Sequence, residues 1–370
     1  MRTMAGARSS ADRRLVERVV GVCARAQEPL RLFERVAAVV RLRIPYAVAG
    51  WLLVDPDTQL LSGVYNQGVT REQHLQAITL ELTEDDVNKF YELARRPVPA
   101  AALSATTDGD LRRSIRWARL YEPLGLGDEL RAAFRSGDTV WGYVCLSRRR
   151  DDPSFSVTEV DLVARLCPHI GNGLRTCLLL GEVDHEGDHS PALVVLDDDG
   201  AVQSATPQAE HWLGDLEDEA LATTIVVHEV AGRARALADG SVTGPPAVAR
   251  TRALTGEWVT VRGARLDDAG GRTAVVLEPA HRAEIAPLLV RLHGLTSRER
   301  EVTQLLLRGL PTREIAATLW ITPETLRGHV KAIMGKLGVS SRPEIAAMLS
   351  GEPVVLTSVD DPAASTRAGR

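Results

Sequence analysis

The chain has 370 residues, of which 44% are hydrophobic and 25% charged, and it carries a formal charge of −5 at pH 7. That length supports two or three domains, each with its own core, and the composition is that of ordinary globular protein. No apolar run approaches the roughly 18 residues of a spanning helix, and the N-terminal MRTMAGARSSADRRL lacks the apolar centre of a secretion signal, so a cytoplasmic protein without a membrane partner is expected. Cys23, Cys145, Cys167 and Cys177 show no CxxC spacing and are expected to be reduced thiols. Lysine occurs only at Lys89, Lys331 and Lys336.

Residues 11–43 read as two helices around a break at Pro29, the first with Leu15, Val19 and Val22 on one face. The period then changes. Residues 46–54 (YAVAGWLLV) form a buried-strand pattern, a turn falls at 55–58, and 59–65 returns as its partner. Helical patterns follow at 71–81 and 84–95, then a loop of proline and alanine. Residues 129–135 and 140–147, joined through Ser136, Gly137 and Asp138, carry a hairpin signal. After Pro153 a long helix is predicted, capped by Ser156 or Thr158, with Val160, Val163, Leu166, Ile170, Leu174 and Leu178 as its apolar stripe. Hairpins between flanking helices predict an α+β domain over 1–181.

The stretch DELRAAFRSGDTVWGYVCLSRR followed by FSVTEVDLVARLCPHIGNGLR resembles a GAF domain of actinobacterial regulators. The resemblance implies a module that binds a small molecule or mediates dimers, with the ligand unidentified. Trp51, Tyr65, Trp117, Trp141 and Tyr143 could line a pocket, but packing area is the usual use of such residues. His169 has no second ligand at useful spacing and is not expected to hold metal or haem.

Residues 182–191 are polar and acidic and read as a linker. His185 and His189, among Asp184, Glu186 and Asp188, suggest a metal site, yet a flexible linker loses too much entropy on ordering to form a tight one, and no metal is expected. Over 192–280 the pattern is strand, turn at 198–200, short strand, helix from Pro207, a helical middle at 217–239, and two strands in EWVTVRGARLDDAGGRTAVVLEPA. This order resembles a PAS domain, an α+β fold, here with no cofactor signature; the last cysteine, Cys177, precedes it, which excludes a cysteinyl-flavin adduct. LVVLDD also resembles the phosphoacceptor strand of a receiver. A receiver needs a lysine after that strand, and none occurs between Lys89 and Lys331. No GxxxxGK[ST] loop is present either, and without a nucleophile, metal or nucleotide motif no enzymatic activity and no cofactor are expected.

Residues 281–294 read as a helical connector despite Pro287. Beyond it, 295–350 has the periodicity of four short helices around a small all-α core. Thr296 and Glu299 fit a capping box, and Val302, Leu305 and Leu306 recur until Gly309 permits a left-handed stop. Ile315, Ala316 and Leu319 mark a second helix, whose first residues Pro311 and Thr312 offer only Thr312 as a side-chain cap. Thr322 and Pro323 restart the chain abruptly as a helix-turn-helix. The third helix buries Leu326, Val330, Ile333 and Leu337, while Glu324, Arg327, Gly328 and Lys331 share another face without apolar side chains. Nine Lys and Arg stand against five Glu between Arg291 and Ser350, a local charge of +4 in a chain of −5, which suits a polyanion. The tail at 351–370 reads as disordered.

The run LTSRERE, REIA, ITPETL and KLGVSSR resembles the LuxR/FixJ-type helix-turn-helix domain. The resemblance implies a transcriptional regulator that binds double-stranded DNA, with Arg327, Gly328 and Lys331 at base edges and His329, Lys336 and Arg342 near phosphate. Thr325 and Arg313 complete the expected contact set. Arg327 stands where a lysine is usual, and Gly328 where an apolar or β-branched residue is, so the operator is not implied. A homodimer is expected, on inverted half-sites about one helical turn apart. Its candidate contacts are the long helix ending near Leu180 and the face Ile345, Met348 and Leu349. RNA polymerase and a small-molecule ligand are open as further partners. The alternative is a sensor or scaffold that acts through protein contacts without reading DNA.

Overall fold

The computed structural model describes residues 2–26, 28–180, 190–216, 222–266 and 271–350. Most of the expected linker, with His185 and His189, and the expected tail lie outside the described residues. The chain divides into two compact units, Met1–Thr296 and Ser297–Arg370.

The first unit opens with α1 (Arg2–Cys23) and α2 (Pro29–Arg41). Glu28 starts α2 by accepting hydrogen bonds from the backbone N–H of Leu30 and Arg31, with Pro29 preset for the first turn. Then come β1 (Val48–Val54), β2 (Leu61–Gln67), α3 (Arg71–Thr83), α4 (Phe90–Leu93), β3 (Ala100–Ala102), α5 (Leu103–Thr106), β4 (Leu126–Ser136), β5 (Thr139–Arg149) and α6 (Val157–Leu180). Thr70 and Gln73 form a capping box on α3, and Ser156 and Glu159 cap α6 reciprocally. The strands form one antiparallel sheet in the order β2-β1-β5-β4-β3. A second set follows: β6 (Ala192–Leu196), β7 (Val202–Ala205), α7 (Pro207–Leu213), α8 (Ile225–Ala238), β8 (Val248–Arg252), β9 (Trp258–Arg265), β10 (Thr273–Pro279) and α9 (Arg282–Leu292). Its sheet, β7-β6-β10-β9-β8, is also antiparallel, and it repeats the strand succession of the first. LVVLDD therefore leads into an antiparallel hairpin, and Asp197 spends its carboxylate on the turn, accepting from Ala201 N–H and Gln203 Nε2.

Burial explains the aromatic residues. Phe33, Trp51 and Phe134 are fully buried with ring centroids 6.0–6.2 Å apart, and Trp117, Trp141 and Tyr143 are buried as well. Helix α6 reaches this core because it carries glycine at its closest contacts: a Cβ on Gly171 would stand 2.5 Å from the Arg135 carbonyl oxygen, and one on Gly173 2.9 Å from Cys23 Cβ. All four thiols are free, and burial raises them, Cys23 and Cys145 to about 11, Cys167 and Cys177 to about 12.

Three sequence expectations change here. The helix expected over 84–95 shrinks to α4, because Asp86 is drawn into the interior, where it accepts from Ser114 Oγ, Arg116 N–H and Arg116 Nη1, and Asn88 turns left-handed at φ 56°. The expected proline and alanine loop contains β3 and α5. Strand β8 was not anticipated, since its alternating arginines hide a partly buried strand. Asp86 ends a buried chain of alternating charge: Glu81 to Arg131 (2.7 Å), Arg131 to Glu129 (2.9 Å), Glu129 to Arg116 (2.8 Å) and Arg116 to Asp86 (3.1 Å). Burial opposes the Glu129 charge, yet Arg116 and Arg131 hold its carboxyl down to about 2.

Helix α8 joins the two sheets. A Cβ on Gly263 of β9 would meet the Val230 carbonyl oxygen at 2.8 Å, while Ile225 at its other end packs in the core of the first sheet with Leu52 and Val64. Arg250 of β8 reaches the β1–β2 turn, where its backbone N–H and Nε donate to Asp55 Oδ2 and its Nη2 to Oδ1, each at 2.8 Å. Thr251 Oγ1 adds a bond to the Ser62 carbonyl at 2.8 Å.

Three buried titratable groups sit in this seam. Burial depresses His74 of α3 and His228 of α8 to about 4, with the Arg71 and Arg235 charges adding to the effect on His228. Burial raises Glu229 to about 8 against the opposing backbone bond from Leu61 and the charge of Arg233, with Glu81 adding to the rise. The folded chain therefore holds a Glu229 proton that the unfolded chain releases from about pH 4.5 upward, and stability falls as pH rises to about 8. The histidines act oppositely, adding stability as pH climbs from about 4 to 6.5. Glu229→Gln should remove the alkaline decline, so that wild type loses about 2 kcal/mol more than the variant between pH 6.5 and 8. Urea unfolding at the two pH values measures this, and parallel losses would contradict the assignment.

Candidate nucleic-acid interface

The second unit consists of α10 (Ser297–Leu307), α11 (Thr312–Thr318), α12 (Pro323–Leu337) and α13 (Arg342–Ser350). Val302, Ile315, Ala316, Leu326, Ile333, Leu337, Ile345 and Leu349 are its buried core. Val330 is only half-buried, at the edge of the expected stripe. Three of the helix boundaries have a local cause. Gly309 N–H bonds the Leu306 carbonyl and Leu310 N–H that of Leu305, which ends α10 in a Schellman turn; Gly338, at φ 71°, ends α12. Thr322 starts α12 by accepting from Thr325 N–H at 3.1 Å, with Pro323 at the first helical position.

Two expectations about caps and contacts are corrected by this geometry. Thr312 does not cap α11: no side chain caps that helix, and Thr312 Oγ1 instead accepts from Arg342 Nη1 at 3.0 Å. Ile345 and Leu349 are consumed by the unit's own core and are not available as a dimer face, which leaves half-buried Met348.

On α12, Glu324, Thr325, Arg327, Gly328 and Lys331 are exposed, and His329 is half-buried beside them. Arg327 Nη1 pairs with Glu324 one turn back, their side chains 66% and 81% exposed, so the pair is weak and easily exchanged. A Cβ built on Gly328 meets nothing within 4 Å, so the fold itself does not call for glycine there. Arg313 and Arg342 are exposed on α11 and α13. Lys336 differs from the other cations. Its ammonium donates at 2.6 Å to Glu299 Oε2, a buried carboxylate on α10, so it locks two helices together in addition to the flanking position the sequence assigns it.

The sequence reading missed two features. One is this lock, signalled in the sequence only by a glutamate and a lysine thirty-seven positions apart. The other is Trp320 in the turn before Thr322, 94% exposed and left-handed at φ 54°.

A short turn between α11 and α12, and a third helix whose exposed face is polar and cationic, define a helix-turn-helix nucleic-acid-binding unit. Residues 293–349 match the model of bacterial regulatory proteins of the luxR family. The chain is 46% identical over 55 residues to the spore germination protein GerE of Bacillus subtilis, covering 15% of this chain and 74% of that protein. To the transcriptional regulatory protein UhpA of Escherichia coli it is 46% identical over 56 residues, 15% of this chain and 29% of that one. Among solved structures, Escherichia coli SdiA aligns at 11% identity over 92% of this chain and 97% of that chain, with a TM-score of 0.34. The chain belongs to the luxR family of bacterial regulatory proteins. It spans most of GerE but less than a third of UhpA.

Two outcomes follow from the geometry of α12. Lys336→Ala should destabilise the unit by about 1–3 kcal/mol, since it withdraws a charged donor from a buried carboxylate, and Glu299→Gln in the same chain should recover part of the loss. Gly328→Ala should instead stabilise it by up to about 1 kcal/mol, because helix propensity improves and nothing is displaced. Thermal melts of the full chain carrying each variant distinguish a gain from a loss.

Proposed function

We propose that the chain is a sequence-specific DNA-binding transcriptional regulator of actinobacterial type. The observation that carries the proposal is the exposed face of α12, with Arg327, Gly328 and Lys331 presented from a helix-turn-helix of the luxR family. Phosphate contacts by His329, Lys336, Arg342 and neighbouring groups supply most of the affinity, and Arg327 and Lys331 supply base choice. The guanidinium fork of Arg327 matches O6 and N7 of guanine, and displacing Glu324 from it costs little. Glycine at 328 lets the helix backbone approach the groove floor.

The first unit is read as a GAF-like module over 1–181, a PAS-like module over 192–280 and a connector over 281–294, acting as sensor or dimer-forming region in the cytoplasm. The common strand succession of the two sheets supports treating them as related folds. A cleft of about 600 Å³, lined among others by Leu30, Tyr65, Leu178, Ala253 and Leu254, offers room for a small ligand, whose identity stays open. A homodimer doubles the few base pairs that one helix reads, and inverted half-sites follow from its two-fold symmetry.

The test uses the full chain and the duplex it enriches most from a random-sequence pool, with a scrambled duplex as control. Fluorescence anisotropy at several salt concentrations should show a marked preference for the selected duplex. Arg327→Ala should reduce that preference by about 1–3 kcal/mol at one base pair while scrambled binding is unchanged. Equal losses on both duplexes would make Arg327 a phosphate contact. The absence of any duplex preferred over scrambled sequence would overturn the function itself in favour of action through protein contacts.

A further inference from the structure

Of the six tryptophans, five are buried, none more than 6% exposed, and Trp320 alone stands in solvent at 94%. Its backbone is as unusual as its exposure. Trp320 N–H bonds the Ala317 carbonyl at 3.1 Å and Ile321 N–H that of Ala316 at 3.0 Å, so Trp320 occupies the left-handed position of a Schellman turn that closes α11. At the end of α10 the equivalent position is filled by Gly309, at φ 75°. A β-carbon there costs stability, and a fully hydrated indole gains none. Neither property benefits the fold of the unit.

We propose that Trp320 is a DNA-backbone contact flanking the reading helix: the indole packs on sugar and phosphate, and its Nε1–H donates to a phosphate oxygen. The inference rests on the DNA-binding reading above. Trp320 lies two residues before Thr322, the cap of α12, and the N-terminal part of the second helix is the part that approaches base edges. The turn that precedes it thereby lies at the groove rim, where the phosphates are. Indole nitrogen is a donor only, which suits an acceptor-only phosphate oxygen. A guanidinium is fixed next to it, because Arg298 Nη2 bonds the carbonyl of Leu319, the preceding residue, while its Nη1 pairs with the half-exposed Glu301. A protein partner fits the surroundings less well. Ala317, Thr318, Thr322 and Pro323 around the turn are exposed, small or polar, and one ring among them falls far short of an apolar docking patch.

The residue reports on itself, since its indole is the only one of the six open to a quencher in the described fold. In the free full chain, acrylamide should quench an accessible fraction of tryptophan emission that Trp320→Phe abolishes. Saturating selected or scrambled duplex at constant salt should protect that fraction. Trp320→Gly, which relieves the left-handed backbone, should raise the melting temperature while weakening both duplexes alike by roughly 5- to 10-fold, with Trp320→Phe between it and wild type. Emission that stays quenchable on a bound duplex would overturn the contact while leaving the DNA-binding reading intact. Protection already complete in the free chain would overturn it too and point to a second copy or the rest of the chain as the occupant. A loss confined to the selected duplex would replace the backbone contact by base reading, and a chain that binds no duplex at all would remove the underlying function together with the inference.

Discussion

Asp55 is buried and takes three hydrogen bonds from one residue, Arg250, which lies 195 positions further along the chain. The same guanidinium reaches Asp57 and the Glu284 carbonyl, and Asp57 in turn accepts from Arg291 Nε at 2.7 Å. Arg250 thus ties the β1–β2 turn of the first sheet to the edge strand of the second and to the start of α9, and Asp57 ties the same turn to Arg291 near the end of α9. Hydrophobic contact alone would let two sheets slide in the seam. A buried ion pair adds little net stability, because desolvation offsets most of the attraction, but it penalises every register in which the charges part. The pair therefore fixes geometry, and α9 inherits it.

Helix α9 is held on several sides within this unit. Glu284 accepts from Thr260 Oγ1 at 2.8 Å and pairs with Arg262 of β9, while Arg175 of α6 donates to the Leu292 carbonyl at 2.5 Å. Any shift of α6 or of the β1–β2 turn is felt at α9 through directional bonds. The interior of the first sheet is stiff by the same means, since the chain of Glu81, Arg131, Glu129, Arg116 and Asp86 fills its polar core with satisfied charge. Buried polar atoms without hydrogen-bond partners occur in the seam, at Thr224 Oγ1 and His74 Nε2, and equally within the sheets, at Trp51 Nε1 and Asn66 of the first and at Trp258 Nε1 and Thr273 Oγ1 of the second.

Legibility in the sequence followed the range of the interactions. In the second unit three boundaries are set within four residues, by Thr322 with Pro323, by Gly309 and by Gly338, and sequence reading located those three. The face of α12 was legible for the same reason, since helical period alone separates Arg327 and Lys331 from Leu326 and Ile333. What escaped depends on distant partners. Asp86 breaks an otherwise helical pattern because Arg116 is thirty positions away, and β8 looks irregular because Arg250 answers to Asp55. Thr312 reads as a cap but is claimed by Arg342, and Ile345 and Leu349 read as a surface because their amphipathic stripe does not say which body covers it. Trp320 could have been suspected from a large side chain two residues before a capping threonine, although only the folded structure discloses its exposure.

The acid on the exposed face of α12 bears on the proposed reading of bases. Glu324 neutralises Arg327 in the free chain through an exposed pair worth only a few tenths of a kcal/mol. Were Arg327 to grip guanine as proposed, its fork would have to leave Glu324, and a carboxylate without its partner would then stand close to phosphate. Under that proposal the pair opposes binding to arbitrary DNA, and a face carrying Arg327 and Lys331 without Glu324 would bind more DNA and distinguish less of it.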